Sequence, residues 1–193
     1  MCIRDSPNLL PVRDIFDLDG GRYGLLMPLV SGPALARLLD DGPLSESQAL
    51  AVLHAILDGL EAAHTAGFVH RDLKPDNVLL ECLPERILPR ISDFGLVKAP
   101  GSDTRTGAVL GTPRYCAPEV LSDASRADAR SDLFSLGVLL VELLTGRCPY
   151  TGPGFAEIVL AQQQPPDLSG MTGTLRDVAA ALLALDPAAR PPD

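Results

Sequence analysis

The hydrophobic pattern changes along the chain from short strand-like runs to helical spacing. Residues 9–17 and 23–27 are apolar runs separated by aspartates and glycines, which predicts a β-hairpin with glycine supplying positive φ. We expect this hairpin to leave a strand edge and an apolar face uncovered. A Ser-Gly-Pro break at residues 31–33 precedes a short predicted helix over residues 34–40.

A longer helix follows. Ser45 and Gln48 have the spacing of a capping box, and the predicted helix runs to about Ala63. Its apolar positions recur at helical spacing: Leu50, Leu53, Ile56, Leu57 and Leu60. Residues 78–80 and 87–91 predict a second hairpin, in which Pro89 restricts pairing to short or edge strands.

Three further helices are predicted over residues 133–144, 155–163 and 175–185. The first of these contains the most apolar run of the chain. It is shorter than a membrane span and contains Glu142, so we expect a buried core helix. We therefore expect one domain, or a large piece of one.

The net charge and the cysteine pattern argue against nucleic-acid binding and against a cysteine-based metal site. The chain has 193 residues and a formal net charge of -9, and its basic residues are scattered, which argues against nonspecific nucleic-acid binding. Cys2, Cys82, Cys116 and Cys148 show neither CxxC spacing nor histidines at metal-ligand intervals. This pattern is typical of reduced thiols in a cytosolic protein.

The stretch VHRDLKPDNVLL, residues 69–80, concentrates charge between apolar flanks. The second hairpin would return Asp93 beside Asn77, and their oxygen atoms suit the coordination of Mg²⁺. Asp72 would lie at the edge of this metal and phosphate site, free to act as a base. Lys74 lies between Asp72 and Asn77 and would neutralise phosphate charge.

These residues and three later motifs resemble the protein kinases. The sequence contains HRDLKPDN at residues 70–77, DFG at 93–95, GTPRY at 111–115 and APE at 117–119. Over residues 7–193 the resemblance is closest to bacterial, eukaryotic-like serine/threonine protein kinases. It implies an α+β, protein-kinase-like fold, mainly the α-helical C-terminal lobe with a remnant β-hairpin of the N-terminal lobe.

The resemblance also implies roles for the crowded stretch. Asp72 would orient the acceptor hydroxyl and take its proton, and Lys74 would contact the γ-phosphate of ATP. Asn77 and Asp93 would hold Mg²⁺ on the ATP phosphates. Lys74 and the GTPRYCAPE segment favour serine or threonine in a protein as the acceptor, over tyrosine or a small molecule.

The adenine pocket is expected around the hinge between the two lobes. Met27 would be the gatekeeper, Pro28 to Val30 would face adenine, and Leu79 would close the pocket from below. For Met27 and Leu79, plain core packing is the alternative.

The activation segment is expected over residues 93–119. Thr104 and Thr106 would be phosphorylated and Arg71 would bind such a phosphate, although unmodified loop threonines are the alternative. Thr112 would form a hydrogen bond in the catalytic site.

Other residues are expected to support the site. Phe94 would pack beneath Asp93 or simply fill the core, and Gly95 would give Asp93 a flexible neighbour. Further structural roles are expected for an ion pair between Glu119 and Arg190, for Asp132 as an acceptor of catalytic-loop N–H groups, and for His54 and His64 in packing or at the surface.

Three segments are expected along the chain. Residues 1–6 would be a non-native leader, which resembles a translated sequencing adapter. Residues 7–30 would form the last N-lobe strands and the hinge, and residues 31–193 would form the C-lobe. The glycine-rich loop, strand lysine and helix glutamate of the family would precede this stretch. The expected activity is transfer of the ATP γ-phosphate to protein Ser/Thr residues by the parent protein. The kinase domain is expected in the cytoplasm, with membrane anchoring of the parent through a region outside this chain as the alternative. Residues 1–193 alone would be inactive, and a noncatalytic pseudokinase or scaffold is the alternative.

Overall fold

The computed structural model describes residues 6–18, 20, 22–94 and 113–192, in which two small antiparallel sheets accompany a mainly helical body. The strands are β1 (Asp14–Leu18), β2 (Arg22–Leu26), β3 (Val78–Leu83) and β4 (Arg86–Ile91). The helices are α1 (Leu35–Leu39), α2 (Glu46–Thr65), α3 (Pro118–Ser122), α4 (Ala129–Thr145), α5 (Phe155–Gln162) and α6 (Gly173–Leu182). Three short 3₁₀ turns cover Pro75–Asn77, Ala124–Arg126 and Pro187–Ala189. This order confirms the expected α+β class.

The first hairpin forms where expected but is shorter. β1 and β2 pair from Asp14 opposite Leu26 to Leu18 opposite Arg22, and apolar side chains such as Ile15 lie exposed. The expected strand over 9–17 is wrong in its first part, because Leu9 bridges to β4 and is buried there. Pro11, which fixes φ and has no N–H group, separates this bridge from β1.

Helix α2 confirms the capping box. The N–H of Gln48 donates to Ser45 Oγ at 3.4 Å, and the N–H of Ser45 donates to Gln48 Oε1 at 3.0 Å. Leu57 does not join the core, because it lies at the border of the apolar stripe and is 36% exposed. Leu50 is only partly buried. The buried face consists of Ala49, Val52, Leu53, Ile56, Gly59, Leu60 and Ala63.

The second hairpin is longer than predicted, and its two outer ends adjoin Asn77 and Ser92. β3 and β4 pair from Val78 opposite Ile91 to Leu83 opposite Arg86, joined by two residues. Consequently Ser92 lies next to Asn77, and the N–H of Ser92 donates to the Asn77 carbonyl at 2.8 Å. The sheet packs on α2 at Gly59, where a Cβ would lie 2.9 Å from Ile91 Cδ1.

Helix α4 is the centre of the helical body. It is buried on all sides from Ser131 to Val141, which is typical of a core helix, and within the described residues no helix is long and apolar enough to cross a membrane. It extends beyond the predicted 133–144 because Asp128 caps its start and Gly146, with φ of 68°, ends it.

The last two helices also form close to their predicted positions. Helix α5 confirms its prediction, whereas α6 begins and ends earlier than the expected 175–185. Leu182 and Leu183 at the end of α6 pack on Gly137 of α4, where a Cβ would lie 2.8 Å from Leu182 Cβ.

Gly137→Ala is expected to destabilise the chain despite the better helix propensity of alanine. The added methyl group overlaps Leu182 and Leu183 at the α4–α6 contact, and overpacking of this kind costs about 1–3 kcal/mol against a propensity gain of about 1 kcal/mol. Thermal unfolding of both proteins measures the difference. An unchanged or higher unfolding temperature for Gly137→Ala would contradict this packing.

Candidate active site

The carboxylate of Asp72 lies at the centre of a small polar cluster. Lys74 Nζ is 3.0 Å from Asp72 Oδ2, and Asn77 Nδ2 donates to the same oxygen at 3.1 Å and to the Asp72 carbonyl at 2.8 Å. The side chain of Asp72 is 32% exposed, so solvent and a ligand can reach it. The structure therefore brings together three of the residues predicted from the sequence.

The 3₁₀ turn Pro75–Asn77 explains this arrangement. Pro75 sets φ at the first position of the turn, and the N–H of Asn77 donates to the Lys74 carbonyl at 3.0 Å. The turn thus folds the stretch back on itself, and Asn77 reaches Asp72 five residues earlier. The proline in the middle of the crowded stretch is part of the fold of the site.

Asp93 follows β4 on the neighbouring side of this cluster. It is exposed, has a φ of 59°, and accepts a hydrogen bond from Ser92 Oγ at 3.3 Å. Because Ser92 also donates to the carbonyl of Asn77, Asp93 and Asn77 are held at the same end of the second hairpin.

These oxygen donors fit a hard divalent cation. Asn77 Nδ2 is hydrogen-bonded to Asp72, which leaves Oδ1 as the oxygen that could bind a cation, and Asp93 would add a carboxylate. In the described part of the chain no group of three or more His, Cys, Asp and Glu side chains could hold a metal. Such a cation would complete its coordination with phosphate oxygens and water.

His70 connects the Asp72 cluster to Ser92, the residue before Asp93, a role that the sequence analysis did not predict. Its Nδ1 accepts from the N–H of Asp72 at 3.2 Å, so Nε2 carries the proton donated to the Ser92 carbonyl at 2.8 Å. Its ring also contacts Phe94 edge to face, with centroids 4.6 Å apart. Phe94 therefore packs beside the site against His70, and its expected position beneath Asp93 stays a prediction.

The side chain of Asp132 fixes the backbone of the stretch that contains Asp72. Its two oxygens accept from the N–H groups of His70 and Arg71 at 2.8 and 2.9 Å, as expected. It also bonds His64 Nε2 at 2.8 Å. His64 thus supports the loop from α2, whereas His54 is exposed on the same helix.

The expected ion pair between Glu119 and Arg190 is buried and bidentate. The two guanidinium nitrogens lie 2.6 and 2.9 Å from the two carboxylate oxygens. Arg190 also donates to the Arg130 and Ala184 carbonyls and lies over the Phe134 ring. Helix α3, which follows the activation segment, is therefore anchored to α4 and to the end of α6.

A second buried contact, which the sequence analysis missed, joins the GTPRY motif to α4. Tyr115 Oη donates to Glu142 Oε2 at 2.6 Å. Burial and the neighbouring Glu142 charge raise the pKa of Tyr115 well above its usual range, and burial also raises the pKa of Glu142. The raised pKa consequently keeps the phenol a donor to higher pH than an exposed tyrosine.

The residues predicted to form the hinge and the adenine pocket are partly buried: Met27, Pro28, Val30 and Leu79. The chain after the hinge runs beside β3, where Leu80 donates to the Pro33 carbonyl and Leu79 bridges to Ala34. The adenine contacts of the hinge remain predictions.

The predicted Gly95, Thr104, Thr106 and Thr112 lie outside the described residues, as do residues 1–5 of the expected leader. Arg71 is described, and its side chain is exposed with φ of 70°. Its expected phosphate contact stays a prediction.

Comparison with known proteins agrees with this geometry. The family model for the protein kinase domain matches residues 2–192. The chain therefore belongs to the protein kinase domain family.

Relatives place the chain near bacterial, eukaryotic-like serine/threonine kinases. It is 47% identical to serine/threonine-protein kinase PknL of Mycobacterium tuberculosis over 137 residues, covering 69% of the chain and 33% of PknL. It is 40% identical to PkaA of Streptomyces coelicolor over 156 residues, covering 79% of the chain and 28% of PkaA. The chain thus spans a third or less of the length of these relatives.

A solved structure supports the fold. The crystal structure of Rad53 1-466 in complex with AMP-PNP has a TM-score of 0.79 and 27% identity to this chain, and the match covers 95% of the chain and 47% of Rad53. The kinase-like fold expected from the motifs is confirmed.

Arg190→Met is expected to lower the free energy of unfolding by roughly 3–5 kcal/mol, because it leaves the Glu119 charge buried without a partner. Denaturant unfolding measures the change. Arg37→Met is the matched control, since Arg37 pairs with Asp40 at the surface and its loss should have little effect. Equal effects of the two substitutions would show that burial does not make the Glu119 pair important.

Alkaline pH is expected to destabilise the chain through Cys148. Burial raises the pKa of this thiol from about 9 to about 11. Below pH 9 the thiol is protonated in both states, but between pH 9 and 11 the unfolded chain loses the proton first. The free energy of unfolding therefore falls as pH rises, by up to about 1.4 kcal/mol per pH unit.

The contribution of Cys148 is isolated by comparing Cys148→Ala with Cys82→Ala, because Cys82 is an exposed free thiol. Denaturant unfolding between pH 8 and about pH 11 should show a shallower decline only in Cys148→Ala. Identical declines in both variants would exclude the Cys148 thiol as the cause.

Proposed function

We propose that the protein containing this chain transfers the γ-phosphate of ATP to serine and threonine hydroxyls of proteins. The observation that carries the proposal is the placement of Lys74 Nζ and Asn77 Nδ2 at 3.0 and 3.1 Å from one oxygen of Asp72. Asp93 lies at the end of the adjoining hairpin. Family membership and the similarity to serine/threonine-protein kinases support it.

Asp72 is proposed to orient the acceptor hydroxyl and to take its proton. The hydrogen bond from Asn77 restricts rotation of the carboxylate, and Lys74 keeps a positive charge beside it. Because one oxygen of Asp72 receives both contacts, the other is available to the substrate hydroxyl. Lys74 would also stabilise the charge that develops on the transferred phosphoryl group.

Asn77 and Asp93 are the residues proposed to hold Mg²⁺. ATP with Mg²⁺ would supply the phosphoryl group and neutralise its charge. Adenine is proposed to lie among Met27, Pro28, Val30 and Leu79, and their partial burial is consistent with this role.

Activation by phosphorylation is a further part of the proposal. Thr104 and Thr106 would receive phosphate, and the exposed guanidinium of Arg71 would bind it. Thr112 would form a hydrogen bond in the catalytic site, and Gly95 would give Asp93 a flexible neighbour. The reaction is proposed to occur in the cytoplasm, where ATP is available.

The test uses the chain extended by its upstream coding sequence. Mg²⁺-dependent transfer of labelled phosphate from ATP to a histone mixture is measured for the parent and for Asp72→Asn. Loss of the catalytic base should reduce the rate at least about 100-fold. The conservative control is Asp58→Asn on the exposed face of α2, which should retain the parental rate.

Residues 1–193 alone form a third arm, in which we expect little transfer. Residues 1–193 contain two lysines, Lys74 and Lys98. Neither is expected to take the place of the N-lobe strand lysine that the family uses. Absence of transfer by the extended protein, even after prior phosphorylation of the activation segment, would favour the noncatalytic scaffold. Transfer to a small-molecule hydroxyl instead of protein would contradict the proposed acceptor.

A further inference from the structure

The chain that follows the proposed hinge lies directly against β3. The N–H of Leu80 donates to the Pro33 carbonyl at 2.9 Å, and Ala34 forms an antiparallel bridge with Leu79. Because β4 pairs with one edge of β3, this contact occupies the other edge. The segment between the hinge and α1 is therefore joined to the sheet that ends beside Asn77.

Gly32, the residue before Pro33, makes this close approach possible. A Cβ atom on Gly32 would lie 1.8 Å from the carbonyl oxygen of Leu80, whereas real Cβ contacts are at least 3.0 Å long. The obstructing oxygen belongs to the backbone, so no side-chain rotation can relieve the overlap. Gly32 has no positive φ, so glycine is required here for space and not for its backbone conformation.

A side chain at position 32 would separate the two segments by about 1.2 Å, and the hinge side can yield most easily. β3 is held in place, because Leu80 is buried and the strand pairs with β4. On the other side of Gly32, Leu35 is fully buried at the start of α1. Leu29, by contrast, is 96% exposed. The displacement would therefore move residues 28–30 away from β3.

We propose that Gly32 is a positioning residue for the nucleotide. Val30 lies two residues before it, and Leu79 precedes the obstructing carbonyl in β3. These two residues belong to the proposed adenine pocket, so the close contact at Gly32 sets the distance between two of its walls. This inference rests on the proposed function, because it takes the adenine of ATP as the ligand. Gly32 touches neither adenine nor phosphate in this scheme.

The test compares Gly32→Ala with Gly137→Ala in the extended protein. Both substitutions add one methyl group against close neighbours, at 1.8 and 2.8 Å, but Gly137 lies at the α4–α6 contact, outside the proposed nucleotide site. A hinge displaced by about 1.2 Å should lose favourable contacts with adenine, so KM for ATP should rise about tenfold in Gly32→Ala alone. KM for the histone mixture should stay at the parental value.

Two partial ligands separate the adenine end of the site from the phosphate end. Adenosine lacks the phosphates, and inorganic tripolyphosphate with Mg²⁺ lacks adenine. The dissociation constant of adenosine should be about tenfold higher in Gly32→Ala and parental in Gly137→Ala, with tripolyphosphate binding unchanged in both. Equal adenosine affinities would overturn the inference. So would parallel weakening of both ligands, because that pattern indicates general damage to the fold.

Ser31→Ala tests the same contact if Gly32→Ala does not fold. Ser31 Oγ donates to the Cys82 carbonyl of β3 at 3.2 Å, and alanine removes this hydrogen bond without adding volume. The dissociation constant of adenosine should then rise about threefold. An unchanged value in Ser31→Ala would argue that the contact with β3 does not set the adenine site, and the inference would fail.

Failure of the proposed function is recognised separately. If the extended parent transfers no phosphate to histone, that proposal fails, but adenosine affinity still tests Gly32, because binding requires no transfer. If the parent transfers phosphate and binds adenosine no better than Gly32→Ala does, only the positioning role is overturned. A parent that binds no adenosine also overturns it, since there is then no adenine site for Gly32 to position.

Discussion

The buried carboxylate of Asp132 is the contact on which the geometry of the site depends. It accepts hydrogen bonds from two successive N–H groups of the catalytic loop and bonds His64 of α2. Arg71 adopts a φ of 70°, a conformation that costs about 1–3 kcal/mol in a residue other than glycine and persists only when its surroundings enforce it. Asp132 supplies that enforcement from the first turn of the most buried helix, where a negative charge is also favoured by the helix dipole.

The catalytic loop leads from this support to the proposed catalytic groups around Asp72. His70 Nδ1 accepts a hydrogen bond from the N–H of Asp72, and His70 Nε2 donates one to the carbonyl of Ser92, directly after β4. A single histidine ring thus ties the position of the proposed base to that of the proposed metal ligand. Precision at the site comes from these supporting contacts, since Asp72 itself is partly exposed and, among the described residues, its carboxylate contacts Lys74 and Asn77.

Local patterns predicted the elements of the fold well. The capping box of α2 was recognisable because Ser45 and Gln48 act within one helical turn. The apolar run of α4 was recognisable because the helix is buried on every side. The prediction of a strand from Leu9 onwards was wrong before β1, because Leu9 pairs with Ile91, which is far away in the sequence. A strand-like run does not show which strand it joins.

The contrast between local patterns and long-range contacts also applies to the candidate site. The Glu119–Arg190 pair and the acceptor role of Asp132 could be predicted because the motifs that contain them are distinctive. The contacts of His64 and Gly32 could not, since each depends on the relative placement of elements distant in sequence. A Ser-Gly-Pro break predicts a turn, but it does not show that Gly32 lies against the carbonyl of Leu80.

The distance between Glu119 and Arg190 along the chain also matters while the protein is being made. The two residues are 71 positions apart, and Arg190 is synthesised last. At a synthesis rate of 5–20 residues per second, Glu119 is made roughly 4 to 14 seconds before its partner. During that interval, docking of α3 would bury the Glu119 carboxylate without its partner, at a cost of roughly 3–5 kcal/mol. Final docking of α3 is therefore favoured only after Arg190 has been made.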